Sequence, residues 1–226
     1  MTGGRGLVRY RHIGRVYDVV SLERVLYRAP RRRLLAMIGP IPAATVLDVG
    51  CGSGLNFEGL RALVGPTGRV IGLDASASML AAARRRVRRG GWTNVTTLHG
   101  NIDELVPALR RAAIAPDDID VLVAAFVISI IPDAARFWND VDHLSRRRPR
   151  LVALADLGKA STLGRLGSAA LRSLAALGAS QPSSKPWNEL AARSDDVVIE
   201  SRLGGHVRLA VGHCGTRPTE PLGVQR

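Results

Sequence analysis

The stretch that decides the fold is VLDVGCGSGLN, residues 46–56. It opens with Val46, Leu47 and Val49, apolar residues of the kind that form a buried strand. Three glycines follow at alternate positions, Gly50, Gly52 and Gly54, and a helical pattern begins at once. Glycine tolerates positive φ and has no Cβ, so a strand, glycine turn and helix let the backbone approach a ligand closely. The stretch therefore predicts a ligand site, with amides of the opening helix directed at the ligand.

The spacing of the glycines indicates which ligand the turn accepts. A dinucleotide fingerprint is G-x-G-x-x-G/A, in which the third small residue packs the helix against the strand. Here the spacing is G-x-G-x-G, and Leu55 stands where that small residue would fall. Asp48 would repel a pyrophosphate but would attract an ammonium or sulfonium group. These features argue against NAD and favour a ligand that carries positive charge.

Composition bounds the class of protein. The 226 residues, 46% of them hydrophobic, fit one domain with a sizeable core. No apolar run reaches the roughly 20 residues of a membrane span, and the N-terminal segment has no apolar signal core, so we expect a cytoplasmic protein. Cys51 and Cys214 make neither a disulfide framework nor a metal site, and the histidines show no ligand spacing, so no metal is predicted.

The net charge of +13 comes almost entirely from arginine, clustered at 31–33, 84–89 and 146–148. Such clusters can bind nucleic acid or an anionic membrane, or they can simply be solvated ends of helices. They fall at the ends of different helices and are not interleaved with aromatic residues, which disfavours nucleic acid. Peripheral contact with an anionic membrane stays open, and the sequence does not indicate an oligomeric state.

Strand and helix patterns alternate along most of the chain. Strands are predicted at 46–49, 69–74, 94–101, 120–129, 149–158, 197–203 and 206–212. Helices between the first five strands predict an α/β fold with a parallel sheet covered on both faces, ligands binding at the carboxyl ends of its strands. A leading helix is predicted within 21–39, broken or kinked at Pro30. An amphipathic helix within 159–186 is either a crossover or a substrate lid.

Polar residues at two further strand ends extend the predicted site. Asp74 ends the second strand, where it could accept hydrogen bonds from ribose hydroxyls. Its alternative role is to cap the next helix, although Ser76 could serve instead. After the third strand, Asn101 or Asp103 could bind an exocyclic amine and Ile102 could pack on an adenine ring; the alternative is a cap for the short helix that follows.

Residues 46–56 and the tract FVISIIPD (126–133) resemble class I S-adenosylmethionine-dependent methyltransferases, of the type 11-like kind that acts on quinone precursors and phosphatidylethanolamine. The resemblance covers about 17–212, but RRRPR (146–150) replaces the family's Arg-Pro-Gly-Gly turn. It implies a Rossmann-like α/β fold whose seven-stranded, mostly parallel sheet has the order 3-2-1-4-5-7-6, with the last strand antiparallel and helices on both faces. It also implies one domain, with a helical segment or lid (1–40), a cofactor-binding core (41–158), a substrate lid (159–195), a hairpin (196–213) and a tail (214–226).

The resemblance further implies S-adenosylmethionine as cofactor, released as S-adenosylhomocysteine. Gly50, Gly52 and Leu55 would hold its methionine portion, Asp48 its ammonium, and Tyr17 would close over it. The full set of expected cofactor contacts is Tyr17, Asp48, Gly50, Cys51, Gly52, Gly54, Leu55, Asn56, Asp74, Ala75, Met79, Asn101, Ile102, Asp103, Phe126 and Ile128.

The expected reaction is in-line methyl transfer to a small-molecule, lipid or quinone-like acceptor, in which the enzyme aligns the reactants and excludes water. Asp156 and His12 are candidate bases, each with a surface or capping role as the alternative. A nucleic-acid methyltransferase would usually carry Asn/Asp-Pro-Pro-aromatic after the fourth strand, where this chain reads AAFVISIIPD. A non-catalytic S-adenosylmethionine-binding protein would share all the cofactor residues.

Overall fold

The computed structural model describes residues 27–131, 133–158 and 185–215. Several predicted features lie outside these residues: the helix start at Ser21, the helix within 159–184, the tail from Thr216, and the candidates Tyr17 and His12.

One seven-stranded sheet organises the described chain. Its strands are β1 (Thr45–Val49), β2 (Arg69–Asp74), β3 (Val95–His99), β4 (Val121–Ala125), β5 (Arg150–Leu157), β6 (Val198–Arg202) and β7 (Val207–Cys214). The helices are α1 (Arg28–Ile38), α2 (Phe57–Val64), α3 (Ala77–Arg89), α4 (Leu105–Arg111), α5 (Ala134–Leu144) and α6 (Pro186–Ala191). The order is β3-β2-β1-β4-β5-β7-β6, and β7 runs antiparallel to both neighbours. The predicted fold class and strand order are confirmed.

Both faces of the sheet are covered, which is why its central strands are almost entirely apolar. Alternate residues of a strand point to opposite faces, so Val46 and Leu47 of β1 enter different cores. The core of Val46 also holds Leu34 of α1, with residues of α2 and α3. The core of Leu47 holds Leu190 of α6, with residues of α4 and α5. Among the described residues, no helix has the length and apolarity needed to cross a membrane.

Strand β4 is shorter than predicted. It was expected to continue to 129 but ends at Ala125, and a short 3-10 turn spans Ile128–Ile130. Phe126 adopts φ 61°, which turns the chain away from the sheet. The Phe126 amide donates to the Ala155 carbonyl at 2.6 Å. The prediction was wrong because the run stays apolar past the end of the strand, so hydrophobicity does not mark where it ends.

Pro30 lies in the first turn of α1, which begins at Arg28. A missing N–H costs nothing there, because that group has no helical acceptor. The predicted break or kink concerned a helix from residue 21, whose part before residue 27 lies outside the described residues. Gly39 ends the helix, as expected. Arg33 of α1 pairs with Glu200 of β6, which fastens the helix to the terminal hairpin.

The RRRPR turn is held by carboxylates at the edge where the parallel strands begin. Arg147 pairs with Asp117 at 2.7 Å, and Arg148 pairs with Asp120 at 2.5 Å. The Arg150 side chain is fully buried, and its Nη2 donates to the Asp117 carbonyl at 3.2 Å. This arginine cluster therefore stabilises a turn at the edge remote from the glycine turn.

Candidate functional site

The three glycines of the turn have positive φ values, but they face different surroundings. A Cβ at Gly50 would lie 2.4 Å from the Val127 side chain, and one at Gly54 would lie 2.6 Å from the Phe57 ring. A Cβ at Gly52, where φ is 54°, would meet nothing within 4 Å. Gly50 and Gly54 are therefore required by packing, whereas Gly52 borders open space that a ligand could fill.

Two amides of the turn are already bound within the protein. The Cys51 amide donates to the Leu73 carbonyl at 3.0 Å, and the Gly52 amide donates to Asp74 Oδ2 at 2.9 Å. The Cys51 side chain is only 6% exposed and points into the core. These two amides tie the turn to the end of β2, so they are not free to bind a ligand.

Asp74 supports both the turn and the start of α3. Its Oδ1 accepts the Ser76 amide at 2.8 Å, in addition to the Gly52 amide on Oδ2. Ser76 caps the helix through a 3.3 Å bond from the Met79 amide, so the cap is the one the sequence allowed. A carboxylate has about four acceptor sites, which leaves capacity for two ribose hydroxyls. Burial raises the pKa of Asp74, and the two amide bonds oppose that shift.

Asp48 is a fully buried carboxylate at the end of β1. Its Oδ1 accepts Asn56 Nδ2 at 3.0 Å, and Asn56 Oδ1 accepts Arg31 Nη1 at 3.1 Å. Its Oδ2 has no hydrogen-bond partner among the described residues. Burial raises the pKa of Asp48 to about 7, opposed by the Asn56 bond and the Arg31 charge. A cationic ligand, reached directly or through water, would satisfy this oxygen.

The segment after β3, residues 101–103, has polar side chains that a ligand could reach, but its apolar side chain is buried. Asn101 is exposed and makes no side-chain cap bond, while Asp103 is half-buried. Ile102 is 9% exposed and packs in the core with α4 and α5, so little of its side chain is open to a ligand. Across from this segment, Ala75 is exposed and Met79 half-buried at the start of α3.

Phe126 and Ile128, both expected to contact the cofactor, lie on different faces of the sheet. Phe126 stays at the carboxyl edge, where its ring lies 4.7 Å from the Tyr27 ring and 5.0 Å from the Arg31 guanidinium carbon. Ile128 is 2% exposed and packs in the core on the other face of the sheet. Phe126 therefore remains a candidate contact, whereas the Ile128 side chain is committed to the core.

Asp156, a candidate base, is bound by backbone on both oxygens. Oδ2 accepts the Ser129 amide at 2.9 Å and Oδ1 accepts the Leu157 amide at 2.8 Å, with the side chain 1% exposed. Burial raises its pKa, and these bonds oppose the shift. The geometry favours a structural role, in which Asp156 holds the turn after β4.

Sequence reasoning missed three side chains at this edge: Tyr27, Arg31 and His206. Tyr27 and Arg31 are four residues apart, a spacing that puts both on one face of a helix. His206 precedes β7, which is antiparallel and therefore begins where the parallel strands end. The helical spacing and the predicted antiparallel strand were signals that could have found them.

The carboxyl edge thus gathers an open glycine turn after β1, an acidic residue at the end of β2 and polar residues after β3. In a doubly wound sheet this arrangement defines a site for a nucleoside-containing cofactor. The orphaned Asp48 oxygen and the open face of Gly52 fit a cofactor with a cationic amino-acid portion.

Comparison with known proteins identifies the domain. Residues 46–146 match the methyltransferase domain family. The chain is 33% identical over 127 residues to nocamycin O-methyltransferase of Saccharothrix syringae, covering 54% of this chain and 42% of the relative. It is 35% identical over 137 residues to demethylmenaquinone methyltransferase of Bacillus cytotoxicus, covering 61% and 54%. The chain spans about half the length of these curated relatives.

The fold agrees with a crystal structure of an S-adenosylmethionine-dependent methyltransferase from Aquifex aeolicus. The TM-score is 0.60 at 17% identity, covering 86% of this chain and 93% of that one. Residues 46–146 therefore form a methyltransferase domain, and the predicted resemblance to class I S-adenosylmethionine-dependent methyltransferases is confirmed. The predicted cofactor of that domain, S-adenosylmethionine, is confirmed with it.

Proposed function

We propose that the protein transfers the methyl group of S-adenosylmethionine to a small-molecule acceptor by in-line displacement. The observation that carries the proposal is the buried Asp48 carboxylate with one oxygen unpartnered, beside the open face of Gly52. A buried carboxylate oxygen without a partner is costly, and the ammonium of the cofactor's methionine portion would offset that cost.

The residue roles follow from the contacts. Asp48 would bind the ammonium, directly or through water, and Gly52 would border the methionine portion. Arg31 reaches Asp48 through Asn56, and its guanidinium would balance the charge of the cofactor's carboxylate. Asp74 would accept the ribose hydroxyls.

Asn101 or Asp103 would bind the adenine amine, and Phe126 would lie near the sulfonium. The cofactor supplies a methyl group already activated by positive sulfur. The residues around it contribute alignment and exclusion of water, which can account for about 7–11 kcal/mol of barrier.

The acceptor side of the edge favours a ring-bearing acceptor. The Tyr27 and Phe126 rings lie 4.7 Å apart there, and aromatic faces favour planar partners. One relative acts on demethylmenaquinone, a quinone, and others are arsenite methyltransferases. Burial raises the pKa of both Cys51 and Cys214, which argues against arsenic chemistry because soft metalloids bind thiolates. We therefore place quinol-like acceptors first.

Calorimetry and a transfer assay test the proposal in two stages. We expect micromolar binding of S-adenosylmethionine and S-adenosylhomocysteine and none of NAD. Transfer of a radiolabelled methyl group is then measured to a reduced demethylnaphthoquinol, to phosphatidylethanolamine and to arsenite. Transfer to the naphthoquinol supports the acceptor proposal. Failure of folded protein to bind either sulfur compound would refute the cofactor site itself.

We also propose that helix α3 contacts an anionic membrane, where a quinone or lipid acceptor would reside. Arg84, Arg88 and Arg89 of α3 are exposed, and the helix contains no acidic residue. Each basic residue near such a surface contributes about 1 kcal/mol. Flotation with phosphatidylserine vesicles should capture the protein at low salt, and phosphatidylcholine vesicles should not. Equal behaviour with both lipids, or no loss of binding in the double variant Arg88→Gln, Arg89→Gln, would contradict the contact.

A further inference from the structure

Two residues 179 positions apart in sequence meet beside the cofactor edge. The Tyr27 hydroxyl lies 3.2 Å from His206 Nε2, within hydrogen-bond distance. Tyr27 immediately precedes α1, and His206 joins the 3-10 turn of the hairpin to β7. The His206 carbonyl accepts the Gly158 amide at 2.8 Å, which fixes the histidine against the end of β5.

This pair adjoins the position proposed for the reacting methyl group. The Tyr27 ring contacts the ring of Phe126, which directly follows β4 and has φ 61°. The Tyr27 ring also lies 6.2 Å from the His206 ring at an interplanar angle of 25°. Tyr27 is therefore next to both Phe126 and His206 at the carboxyl edge.

The imidazole of His206 is in the state that a proton acceptor requires. It is 5% exposed, and burial lowers its pKa below the ordinary value of 6.5, so the ring is neutral at pH 7. Burial is the cause of this shift. The elements packed next to His206 carry the charged groups Arg31 on α1, Asp156 on β5, Arg202 on β6 and Arg208 on β7.

Three of these groups are engaged elsewhere. Arg31 binds Asn56, Asp156 accepts two backbone amides, and Arg202 pairs with Glu200. The aliphatic part of the fourth side chain, that of Arg208, lies next to Gly158.

We propose that Tyr27 and His206 form a proton relay that deprotonates a hydroxyl-bearing acceptor. Tyr27 is the catalytic residue, because its oxygen would touch the acceptor, and His206 acts through it. The acceptor's oxygen, or the ring carbon it activates, forms a bond to the methyl carbon as the carbon–sulfur bond breaks, and that bond's electron pair stays on sulfur. When the ring carbon is the nucleophile, its C–H bond then breaks, the proton leaves to solvent and the electron pair restores the aromatic ring. The acceptor's hydroxyl proton passes to the Tyr27 oxygen, and the Tyr27 proton passes to His206 Nε2. The resulting imidazolium returns its proton to solvent.

This inference rests on the proposed acceptor class, since only a nucleophile that arrives protonated needs a base. A purely structural reading is that the pair fastens the start of α1. That helix already has other ties, through Arg33 to Glu200 and through Arg31 to Asn56. The two readings predict different protonation states and different kinetics, so they can be separated.

The first experiment needs no acceptor. In protein labelled with ¹⁵N-histidine, we expect His206 to be neutral at pH 7 with Nε2 unprotonated. Tyr27→Phe should shift the Nε2 resonance, because the hydroxyl that donates to it is lost. A charged ring at pH 7, a proton on Nε2, or an Nε2 resonance unchanged in Tyr27→Phe would each overturn the relay. Because no acceptor is present, this result is independent of whether the acceptor proposal holds.

The second experiment uses the naphthoquinol acceptor. His206→Gln and Tyr27→Phe should each lower kcat by roughly 10²–10⁴-fold, the range of general-base catalysis, while KM for S-adenosylmethionine stays near the wild-type value. In the wild-type pH–rate profile, the loss of rate on the acid side should have its midpoint below pH 6.5, because the pKa of His206 is lowered. This acid limb should be absent in His206→Gln. His143→Gln, on α5 at the far side of the sheet, is the matched control. An unchanged kcat, or an equal loss in His143→Gln, would overturn the relay.

Discussion

Replacing Gly52 with alanine would separate the cost of an unfavourable backbone angle from the cost of blocking the cofactor. The new Cβ would meet no protein atom within 4 Å, so packing within the protein is unaffected. The remaining cost comes from φ 54°, where a non-glycine residue is disfavoured by roughly 1–2 kcal/mol. In a chain of this length that corresponds to a fall in Tm of roughly 2–8 °C.

The same methyl group would project into the space that we assign to the methionine portion of the cofactor. Overpacking of a well-fitted contact costs typically 1–3 kcal/mol, which corresponds to a loss of affinity of roughly 5–150-fold. Gly65→Ala is the matched control, because Gly65 also has positive φ, at 71°, and also meets nothing within 4 Å. It lies at the end of α2, near the start of β2 and away from the turn.

The assay combines thermal unfolding with calorimetric titration of S-adenosylhomocysteine on all three proteins. We expect both variants to lose similar thermal stability and only Gly52→Ala to lose affinity. Equal affinity in Gly52→Ala and Gly65→Ala would refute the placement of the cofactor over Gly52. A collapse of the fold in Gly52→Ala alone would show that its surroundings are not open.

Further outcomes are expected at three residues. Asp48 keeps in the native state a proton that the unfolded chain releases near pH 3.8, so its contribution makes the free energy of unfolding fall as pH rises from about 4 to about 7. Over the upper part of that range, S-adenosylhomocysteine should bind more tightly as pH rises and the carboxylate forms, and calorimetry on Asp48→Asn should show a flat profile. Asp74→Ala should weaken binding by roughly 2–4 kcal/mol, since each hydrogen bond to a charged group contributes about 1.5–3 kcal/mol; unchanged affinity in the same titration would remove Asp74 from the site. Arg150→Met should leave stability to urea equal or higher, because Nε and Nη1 of the buried guanidinium have no partner among the described residues and Arg148 still donates to the Asp117 carbonyl. A loss above about 2 kcal/mol would show that Arg150 contributes to stability despite its unpaired atoms.

The sequence was most informative where local chemistry ends an element. β2 was predicted residue for residue, because its apolar run stops at Asp74 and a helix cap follows. The end of β4 was missed, because the chain leaves the sheet through bonds to Ala155 and Asp156 of another strand. Such long-range bonds leave no trace in local hydrophobicity.

The same distinction applies to the site. The sequence could place Asp48 and Asp74 at the carboxyl edge, because each is one of the last two residues of its strand, and their ligand roles stay predictions. The direction of the Ile128 side chain could not be predicted, because an apolar residue after a strand can face either a ligand or the core, and here it packs in the core. The contact between Tyr27 and His206 depends on the whole strand order, which brings the two ends of the described chain together.

Because β7 runs antiparallel, the residues proposed for the cofactor and those proposed for the acceptor come from different parts of the chain. The proposed cofactor contacts come mainly from one continuous stretch, 48–103, whereas Tyr27 and His206 come from the segments that flank the parallel core. The hairpin turn at Leu203–Gly205 can therefore change length or sequence without altering the register of β1, β2 or the glycine turn. Exchanging this turn between homologous proteins is thus a route to new acceptor preference that leaves cofactor affinity intact.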